Sequence, residues 1–330
     1  MKASGVGIIG TGSYVPSKVI TNDQIESWTG ISAASIIEKT GIEKRYIADS
    51  GEVSSEMAAK ASLKSIEMAG ISPADIGLVV VATIVGDYIY PALACKVQDL
   101  VGAVNAGTFD VTANCNGFQV ALTVGSDRMI ADKTITNVLI VGVALQSRFI
   151  NWKDANAAIY FGDGAGAVVL GRVPEGYGII ASDIFSNTKV YDSVRLRGGG
   201  SSFPLTEKNI NDGLQYYEVN GLEVWRQVIQ NQPKVIKRVL AKAEKSKEDI
   251  DFFIFHQANL RLIEYLMAKM HLPLTKTYTN VAEIGNTAEA SMVIALDEAV
   301  RRQLVKRDQL VVISGVGAGF IFGATILKWY

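Results

Sequence analysis

The sequence contains little cysteine and histidine, with only two of each in 330 residues. Two cysteines, Cys95 and Cys115, are too few for a disulfide framework, which excludes the small proteins that depend on disulfides for stability. There is also no HExxH or CxxC motif and no cluster of residues at metal-ligand spacing. The sequence therefore predicts neither a disulfide scaffold nor a metal centre.

The sequence also lacks an excess of either charge, because 32 Lys and Arg residues oppose 33 Asp and Glu residues. A net charge of −1 gives no global field that would attract nucleic acid or an anionic membrane. No apolar run approaches the roughly 18 residues of a membrane span. Residues 1–17 contain no continuous apolar signal core. We expect a cytoplasmic protein without a membrane span or a nucleic-acid partner.

Short β-branched runs alternate with helical stretches along the whole chain. The predicted strands are 5–10, 76–83, 107–111, 137–145, 166–171, 177–185, 251–256, 310–316 and 320–329. Their near-continuous apolar character is typical of sheets buried on both faces, which indicates a layered α/β fold. The predicted helices are 54–70, with Ser54 or Ser55 as N-cap and Gly70 at the end, followed by 116–133, 222–245, 257–270 and 288–304.

Two segments resemble each other within the chain. "NVLIVGVAL" leads to "FGDGAGAVVLG" in the first half, and "QLVVISGVGAGFIFGATILKW" closes the second half. Each segment has an apolar strand, a glycine-bearing turn and another apolar strand. We interpret this as an internal duplication with a join near 173–177.

Cys115 stands in "FDVTANCNGFQVAL", between a predicted buried strand and a predicted helix. Backbone N–H groups and the helix dipole at such a junction stabilise negative charge, so we expect the pKa of the thiol to be lowered. A nucleophile is one interpretation. A small buried apolar residue, which is the commoner fate of a free cysteine, is the other.

The two histidines differ in their surroundings. His271 follows a predicted helix and precedes a proline, which indicates a surface turn, whereas His256 follows the apolar strand "DFFIF". Loops at the carboxyl ends of strands form the sites of open α/β sheets. Asn286, in "EIGNTAEAS", also precedes a helix. His256 could be a structural histidine, and Asn286 could be a helix N-cap. Cys115, however, also stands at a junction before a predicted helix, so the three residues are candidates for one site.

Three motif matches are rejected. "GVGIIG" lies within a predicted strand and lacks the following helix of a dinucleotide site, and "GDGAG" lacks the Lys-Ser/Thr of a phosphate loop. The order and separation of Cys115, His256 and Asn286 also fit papain-like proteases. The C-G-[SA]-C-[WY] signature of those enzymes is missing from "TANCNGF", however, so we reject that interpretation.

Five motifs in order carry a resemblance, namely "FDVTANCNGF", "YFGDGAGAVVLG", "HQANLR", "GNTAEAS" and "GVGAGFIFGA". Together they resemble the thiolase superfamily and, within it, the β-ketoacyl-acyl carrier protein synthase III family. The resemblance implies a duplicated thiolase-like fold in five αβαβα layers, with halves at 1–174 and 175–330, and a homodimer. It implies a decarboxylative condensation of an acyl thioester with malonyl-acyl carrier protein, at the start of fatty acid or related acyl-chain synthesis.

The resemblance also implies a role for each matching residue. Cys115 would be acylated, and His256 with Asn286 would assist decarboxylation through hydrogen bonds to the thioester oxygen. The substrates would be thioesters of coenzyme A or of carrier-protein phosphopantetheine, with no permanently bound cofactor. Residues expected to bind coenzyme A, pantetheine or carrier protein are Lys39, Asn259, Arg226 and Arg261, with Lys269 beside them. Residues expected to form the oxyanion site and the acyl pocket are Gly317, Gly319, Tyr90 and Phe118.

The chain departs from the family where a tryptophan and an arginine usually sandwich the adenine of coenzyme A. Ser35 and Lys39 stand before "TGI", and Ala155 stands before "FGDG". We hypothesise that the condensation chemistry is retained while recognition of the acyl donor has changed. One alternative is an acyltransferase or specialised synthase of the same fold that acts on an amine or hydroxyl without decarboxylation. A scaffold with a relic site is another.

Overall fold

The computed structural model describes residues 5–330, which form thirteen strands and ten α-helices. The strands are β1 (Gly5–Tyr14), β2 (Lys18–Thr21), β3 (Lys44–Ile47), β4 (Leu78–Ala82), β5 (Gly107–Val111), β6 (Val138–Ala144), β7 (Gly164–Val173), β8 (Gly178–Ser186), β9 (Val194–Leu196), β10 (Tyr217–Val219), β11 (Phe252–Phe255), β12 (Leu310–Gly317) and β13 (Ile321–Lys328). The helices are α1 (Asn22–Thr29), α2 (Ala33–Thr40), α3 (Ser54–Ala69), α4 (Leu93–Val101), α5 (Gly117–Ala131), α6 (Ala155–Ala158), α7 (Gly221–Lys242), α8 (Leu260–Lys269), α9 (Val281–Ile284) and α10 (Ser291–Arg301).

Two large sheets repeat one strand order. The first sheet has the order β1-β7-β6-β4-β5, and the second has β8-β13-β12-β11. In each sheet the first two neighbouring pairs are antiparallel and the third is parallel. The fifth position of the second sheet is reduced to a single parallel bridge between Phe253 and Thr277. The sheets are therefore two versions of one unit.

Helices separate and cover the two sheets. α5 and α10 lie between the sheets, since each of them contacts strands of both. α3 and α4 cover the outer face of the first sheet, while α7, with α8 packed against it, covers the second. The result is an αβαβα arrangement of five layers.

The sequence of the inner elements explains their position. β4 and β6 are apolar throughout and fully buried, as expected for strands covered on both faces. α10 begins with a buried run from Ser291 to Asp297 that covers its whole circumference, which is typical of a helix enclosed on all sides.

Glycines allow the start of α10 to approach the first sheet closely. A Cβ added to Gly142 would lie 2.4 Å from the carbonyl oxygen of Glu289, and one added to Gly166 would lie 2.4 Å from Val293 Cγ1. Larger residues at these positions would push the segment away from the sheet. The glycines therefore set the position of the segment that follows Asn286.

All nine strands predicted from the sequence are present, with β1 extending to Tyr14. The two-stranded pairs β2–β3 and β9–β10 were not predicted, because three or four residues give little periodicity. The predicted N-cap of α3 is wrong. Val53 is the N-cap residue, Ser54 donates to Val85 O, and Asp87 accepts from the N–H of Ser55. The carboxylate of Asp87, from a neighbouring loop, thus accepts a backbone N–H at the start of α3, where a serine hydroxyl was expected to accept it.

The chain passes from one sheet to the other between Val173 and Gly178, where the internal join was expected. The division into halves at 1–174 and 175–330 stays a prediction. Within residues 5–330, no helix combines the length and apolar character needed to cross a membrane.

Candidate active site

Cys115 lies at the carboxyl end of β5, in a single 3₁₀ turn (Asn114–Asn116) that leads directly into α5. The residue is half-buried. The turn packs against the end of β12, where a Cβ on Gly317 would lie 2.4 Å from Ala113 O. The glycine of "GVGAGF" therefore lets the second half of the chain approach the cysteine loop of the first.

His256 follows β11 and is held by both its backbone and its ring. Its N–H donates to Ser314 O at 3.0 Å, and its Nδ1 lies 2.6 Å from Ser291 Oγ. Ser291 Oγ also accepts the N–H of Gln257 at 3.2 Å, and we assign its own proton to His256 Nδ1, the one side-chain acceptor that it meets within residues 5–330. A neutral imidazole with an acceptor at Nδ1 carries its proton on Nε2. This arrangement makes Nε2–H a hydrogen-bond donor.

Asn286 is oriented in a comparable way. Its Oδ1 accepts the N–H of Ala288 at 2.9 Å, which leaves the Nδ2 amide protons as donors. Its backbone bridges the segment at Phe161, because its N–H donates to Tyr160 O and its carbonyl accepts from Gly162 N–H. Asn286 is not the N-cap, since Thr287 takes that position without a side-chain cap, but the hydrogen bond from Ala288 N–H orients the Asn286 amide.

A single cavity of about 530 Å³ is lined by Cys115, His256 and Asn286 together. Its wall is largely apolar and includes Phe161, Trp225, Leu262 and Phe320. The cavity thus brings a thiol from the first half of the chain together with an imidazole and a carboxamide from the second half.

Burial sets the ionisation of the imidazole and the thiol. Desolvation lowers the pKa of His256 to about 3, so the ring is neutral at neutral pH. Burial and the Glu289 carboxylate raise the pKa of Cys115 well above its ordinary value, although the thiol's own backbone N–H acts in the opposite direction. The predicted acidic thiol is therefore wrong, because desolvation and a nearby carboxylate outweigh the N–H groups of the turn.

Glu289 is fully buried and lies behind the cysteine loop. Its carboxylate accepts the N–H of Ile84 at 2.8 Å and the amide Nε2 of Gln146 at 3.3 Å. Burial raises the pKa of Glu289 to about 7, which the two hydrogen bonds counteract only in part. Near neutral pH this carboxyl group is therefore present in both protonation states.

A second cavity of about 310 Å³ meets the first at Cys115. Phe161, Val194 and Ala318 also line both cavities. The second cavity contains Gln146 and Tyr217 as well as apolar side chains such as Ile84 and Leu196. Cys115 is thus placed at the junction of two separate spaces.

Lys39, Asn259 and Gly317 line the first cavity, and Gly319 lines the second. The amide of Asn259 is engaged on both sides, since its oxygen caps α8 at Arg261 N–H and its Nδ2 donates to Lys39 O. Asn259 therefore fixes the position of Lys39 at the cavity wall.

The other predicted residues lie away from both cavities. Arg226 forms an exposed ion pair with Glu223, while Arg261 pairs with Glu264 and donates to carbonyls at the end of α2. Lys269 donates to Ile229 O. These cations face solvent near α2, α7 and α8, and none of them lines the first cavity.

Two predicted pocket residues have opposite environments. Tyr90 is 86% exposed, on the loop before α4. Phe118 is fully buried in the core between the sheets and lines neither cavity, so its assignment to the pocket is wrong. Phe118 belongs to a core cluster that also contains residues of β4 and α10, whereas Cys115 in the preceding turn lines both cavities.

Sequence reasoning missed Ser291, Gln146 and Trp225. Ser291 stands in the quoted motif "GNTAEAS", five residues after Asn286, so its proximity to the site was available from the sequence. Gln146 becomes notable only beside Glu289, which lies 143 residues further along the chain. Trp225 is a partly buried residue of α7 that lines the cavity, a position that no local pattern indicates.

Comparisons with known proteins agree with this architecture. A sequence profile described as 3-oxoacyl-[acyl-carrier-protein] synthase III matches residues 109–188, and the profile of its C-terminal part matches residues 240–329. A β-ketoacyl-[acyl-carrier-protein] synthase III from Caldanaerobacter subterraneus subsp. tengcongensis is 37% identical over 323 residues, covering 98% of this chain and 97% of that protein. One from Clostridioides difficile is 38% identical over 323 residues, covering 98% of each chain.

A solved structure is also similar. The crystal structure of a 3-oxoacyl-[acyl-carrier-protein] synthase III from Aquifex aeolicus VF5 aligns with a TM-score of 0.90 at 33% sequence identity. The alignment covers 98% of this chain and 100% of that chain. The likeness therefore extends across both sheets and all five layers.

Proposed function

The chain belongs to the β-ketoacyl-[acyl-carrier-protein] synthase III family of thiolase-fold condensing enzymes, and we propose that it condenses an acyl thioester with malonyl-acyl carrier protein. The product is a β-ketoacyl thioester that begins an acyl chain. The two cavities that meet at Cys115 support this proposal, because the reaction needs one space for the thioester arm and one for the acyl group.

The first step transfers the acyl group to Cys115. The sulfur forms a bond to the acyl carbon, the bond from that carbon to the donor sulfur breaks, and the cysteine proton leaves with the departing thiol. Exchange of one thiol for another needs no net proton. This suits a cysteine whose raised pKa keeps it protonated until the donor arrives. Backbone N–H groups at Cys115 and along Gly317–Gly319 are our candidates for binding the oxyanion.

The second step removes carbon dioxide from the malonyl thioester. The bond to the carboxylate breaks, and its electron pair forms an enolate whose oxygen accepts hydrogen bonds from His256 Nε2 and Asn286 Nδ2. One observation carries this assignment: Ser291 and the N–H of Ala288 occupy the acceptor atoms of the two side chains and leave two donors beside the thiol. A buried neutral histidine is suited to this work, since it donates without bringing a charge.

The third step joins the two fragments. The enolate carbon forms a bond to the acyl carbon on Cys115, the thioester bond to the cysteine breaks, and the thiolate takes up a proton from solvent. Decarboxylation itself generates the carbon nucleophile. No carboxylate base is therefore required, and Glu289 is left outside the sequence of bond changes.

The acyl donor is a thioester of coenzyme A or of acyl carrier protein, and we propose that this chain binds it differently from relatives with an adenine sandwich. Ser35 and Ala155 provide no ring or guanidinium plane for stacking. Lys39 is positioned at the cavity wall by Asn259 and can contact a phosphate of the donor. Arg226, Arg261 and Lys269 supply further positive charge on this face for an acidic carrier protein.

We also propose a homodimer, to which Tyr90 contributes. β5 is an edge strand of the first sheet, and an unpaired edge is a template for pairing with a second copy. The loop before α4 exposes Tyr88, Ile89 and Tyr90 at 75%, 92% and 86%. Such a cluster is typical of an interface, and its position next to β5 would bring it to the partner's acyl pocket. Sedimentation tests the assembly: Ile89→Asp should shift a dimer toward monomer, whereas a wild-type monomer would contradict the proposal.

Mass spectrometry of the products tests the proposed function. With an acyl thioester and malonyl-acyl carrier protein, we expect a β-ketoacyl carrier protein that is two carbons longer than the acyl group. An acyltransferase of the same fold would instead release an acyl amide or ester and leave the malonyl group intact. Parallel loading of Cys115 from matched coenzyme A and carrier-protein donors tests donor choice, and faster loading from coenzyme A would contradict a shift toward the carrier protein.

A further inference from the structure

Cys115 stands between two asparagines, and the first of them reaches across to the second half of the chain. Asn114 is partly buried and lines the second cavity, and its Nδ2 donates to the carbonyl oxygen of Ala318 at 2.9 Å. Ala318 belongs to the three-residue hairpin turn (318–320) that joins β12 to β13. Asn114 therefore connects the cysteine turn to the hairpin turn.

Asn116, on the other side of the cysteine, has a different task. It is fully buried, and its Nδ2 donates to Gln119 Oε1 at 3.2 Å. Gln119 Nε2 in turn donates to Thr325 Oγ1 of β13 at 3.0 Å. A Cβ on Gly323 would clash with Gln119 Oε1, so this glycine makes room for the two amides. The cysteine turn is thus anchored in the core independently of its bond to the hairpin turn.

The hairpin turn carries backbone N–H groups into the space around Cys115. The N–H of Phe320 donates to Asn187 O at 2.9 Å, whereas those of Ala318 and Gly319 meet no acceptor within residues 5–330. Ala318 lines both cavities, as Cys115 does, and Gly319 lines the second. Unpaired N–H groups at such a position are suited to bind the oxyanion that forms when the sulfur attacks a thioester.

The bond from Asn114 holds the middle of the hairpin turn. The ends of the turn are fixed by the pairing of Gly317 with Ile321 and by the backbone bonds of Phe320. Ala318 stands between two glycines, the residue type with the least restricted backbone. Without a bond to its carbonyl, the adjoining peptide units would be free to rotate their N–H groups away. Oxyanion donors are effective because they are oriented before the charge develops.

Backbone conformation is a competing explanation for Asn114. Its φ of 50° lies in the left-handed region, where asparagine is common among residues other than glycine. Glycine adopts this conformation without strain and has no side chain. Asn114→Gly therefore separates the two explanations, because it retains the backbone of the cysteine turn and removes only the bond to Ala318 O.

We propose that Asn114 is a positioning residue for acyl transfer, which holds the hairpin turn so that its unpaired N–H groups stabilise the oxyanion formed when Cys115 attacks the donor. The thioester oxygen carries the charge while the new carbon–sulfur bond forms. The charge returns to the carbon–oxygen double bond as the donor thiol leaves. The inference rests on the proposed function, because it concerns the first step of that reaction.

Two reactions of Cys115 test this inference in the full-length Asn114→Gly variant. Attack on a thioester forms an oxyanion, whereas alkylation by iodoacetamide displaces iodide and forms none. The donor is butyryl-coenzyme A or butyryl-acyl carrier protein, whichever acylates the wild type faster, and intact mass follows both reactions. At saturating donor we expect acylation to slow by about tenfold, on the scale of one hydrogen bond, with an unchanged half-saturating concentration. Alkylation should stay within about twofold of the wild-type rate, since Asn116 still anchors the cysteine turn.

Glu244→Gly is the matched control, because Glu244 has a similar φ of 53° in an exposed turn after α7. Alkylation at the wild-type rate shows that the cysteine turn is intact in each variant. Unchanged acylation in Asn114→Gly, or equal losses in the two reactions, would overturn the positioning role and leave the proposed function standing. Failure of every donor to acylate the wild type would instead overturn the proposed function and the inference with it.

Discussion

The two sheets have the same strand order, but different functional groups follow their corresponding strands. In the first, β5 is a full strand and leads through the Cys115 turn to α5. In the second, the corresponding position is a single bridge at Thr277, and the chain reaches α10 through Asn286. The two central helices therefore begin beside different groups, a nucleophile in one half and a hydrogen-bond donor in the other.

The strands next to them differ in the same way. β4 is followed by Thr83, whose hydroxyl only accepts the N–H of Val85, whereas the matching β11 is followed by His256. One scaffold thus supplies acyl transfer from its first copy and decarboxylation from its second. If this division is correct, substitutions in the two halves should impair different steps, and the following predictions test that separation.

Cys115→Ala should have the largest effect, because it removes the atom that holds the acyl group. We expect no acyl-enzyme by intact mass, while His256 and Asn286 still promote decarboxylation of the malonyl thioester. Cys95→Ala is the matched control, since Cys95 is exposed and its sulfur lies beside Thr108 Oγ1. An acyl adduct that survives in the Cys115 variant would assign the nucleophile to another residue.

Asn286→Ala removes one of the two donors of the second half. Loss of such a donor typically raises the barrier by roughly 3–4 kcal/mol, so we expect decarboxylation to slow by about 10²–10³-fold. Acylation of Cys115 should stay within a few-fold of the wild type. Release of labelled carbon dioxide measures the first rate, and intact mass measures the second.

His256→Ala removes the other donor, and we expect it also to slow decarboxylation while acylation of Cys115 stays within a few-fold of the wild type. His271→Asn is its control, because His271 is exposed and adopts a left-handed backbone conformation that asparagine tolerates. Equal losses of acylation and decarboxylation in the Asn286 or His256 variant would contradict the separation between the halves.

Glu289→Gln should stabilise the protein in a pH-dependent manner. The pKa of this carboxyl is raised from 4.5 to about 7, so ionisation opposes folding. Below pH 4.5 the group is protonated in both the folded and the unfolded states, and the substitution should bring no gain. The free-energy cost of ionising Glu289 in the folded state grows between pH 4.5 and 7 and is constant above pH 7. There the substitution should raise the free energy of unfolding by about 3 kcal/mol.

Urea denaturation at pH 4.5 and pH 8 measures this difference, with the exposed Glu175→Gln as control. The same variant should alkylate faster with iodoacetamide, because the carboxylate that raises the pKa of Cys115 is gone. A stability gain that is equal at both pH values would show that the ionisation of Glu289 is not its source.

Ser291→Ala should have the smallest of these effects, since Ser291 acts on the reaction by orienting His256, although the change also removes the acceptor of the Gln257 N–H. Without the hydroxyl, Nδ1 loses the donor that keeps the ring proton on Nε2, and we expect decarboxylation to slow by about tenfold, on the scale of one hydrogen bond. ¹⁵N chemical shifts of His256 report the tautomer directly. Ser291→Thr should restore both the shifts and the rate, and unchanged shifts in Ser291→Ala would rule out the positioning role.

Much of the fold could be predicted from the sequence because the buried strands are continuous apolar runs. Cys115, His256 and Asn286 stand out in the sequence because each lies at a junction before a helix, and the family resemblance implied that they share one site, as the first cavity shows. The short strands β9 and β10 could not be predicted in this way, although they form part of the wall at Val194 and Val219.

The pKa of Cys115 shows why the remainder of the site needed coordinates. The local sequence contains the helix terminus that lowers the pKa, but the burial and the carboxylate that raise it depend on Glu289 and on packing against the second half. Phe118 is a similar case. It stands only three residues after Cys115, yet it lies in the core, whereas Cys115 lines the cavity. The Gln146–Glu289 contact spans the two halves, and no local pattern indicates it.

A single turnover of the acylated enzyme tests most directly whether both halves act on one substrate in one cavity. Protein pre-loaded with an acyl group on Cys115 is mixed with malonyl-acyl carrier protein labelled in its free carboxylate, and carbon dioxide and product are counted over time. We predict one carbon dioxide for each β-ketoacyl product, formed as the acyl group leaves Cys115. Product without carbon dioxide, or carbon dioxide release while the acyl group stays on the cysteine, would contradict the account.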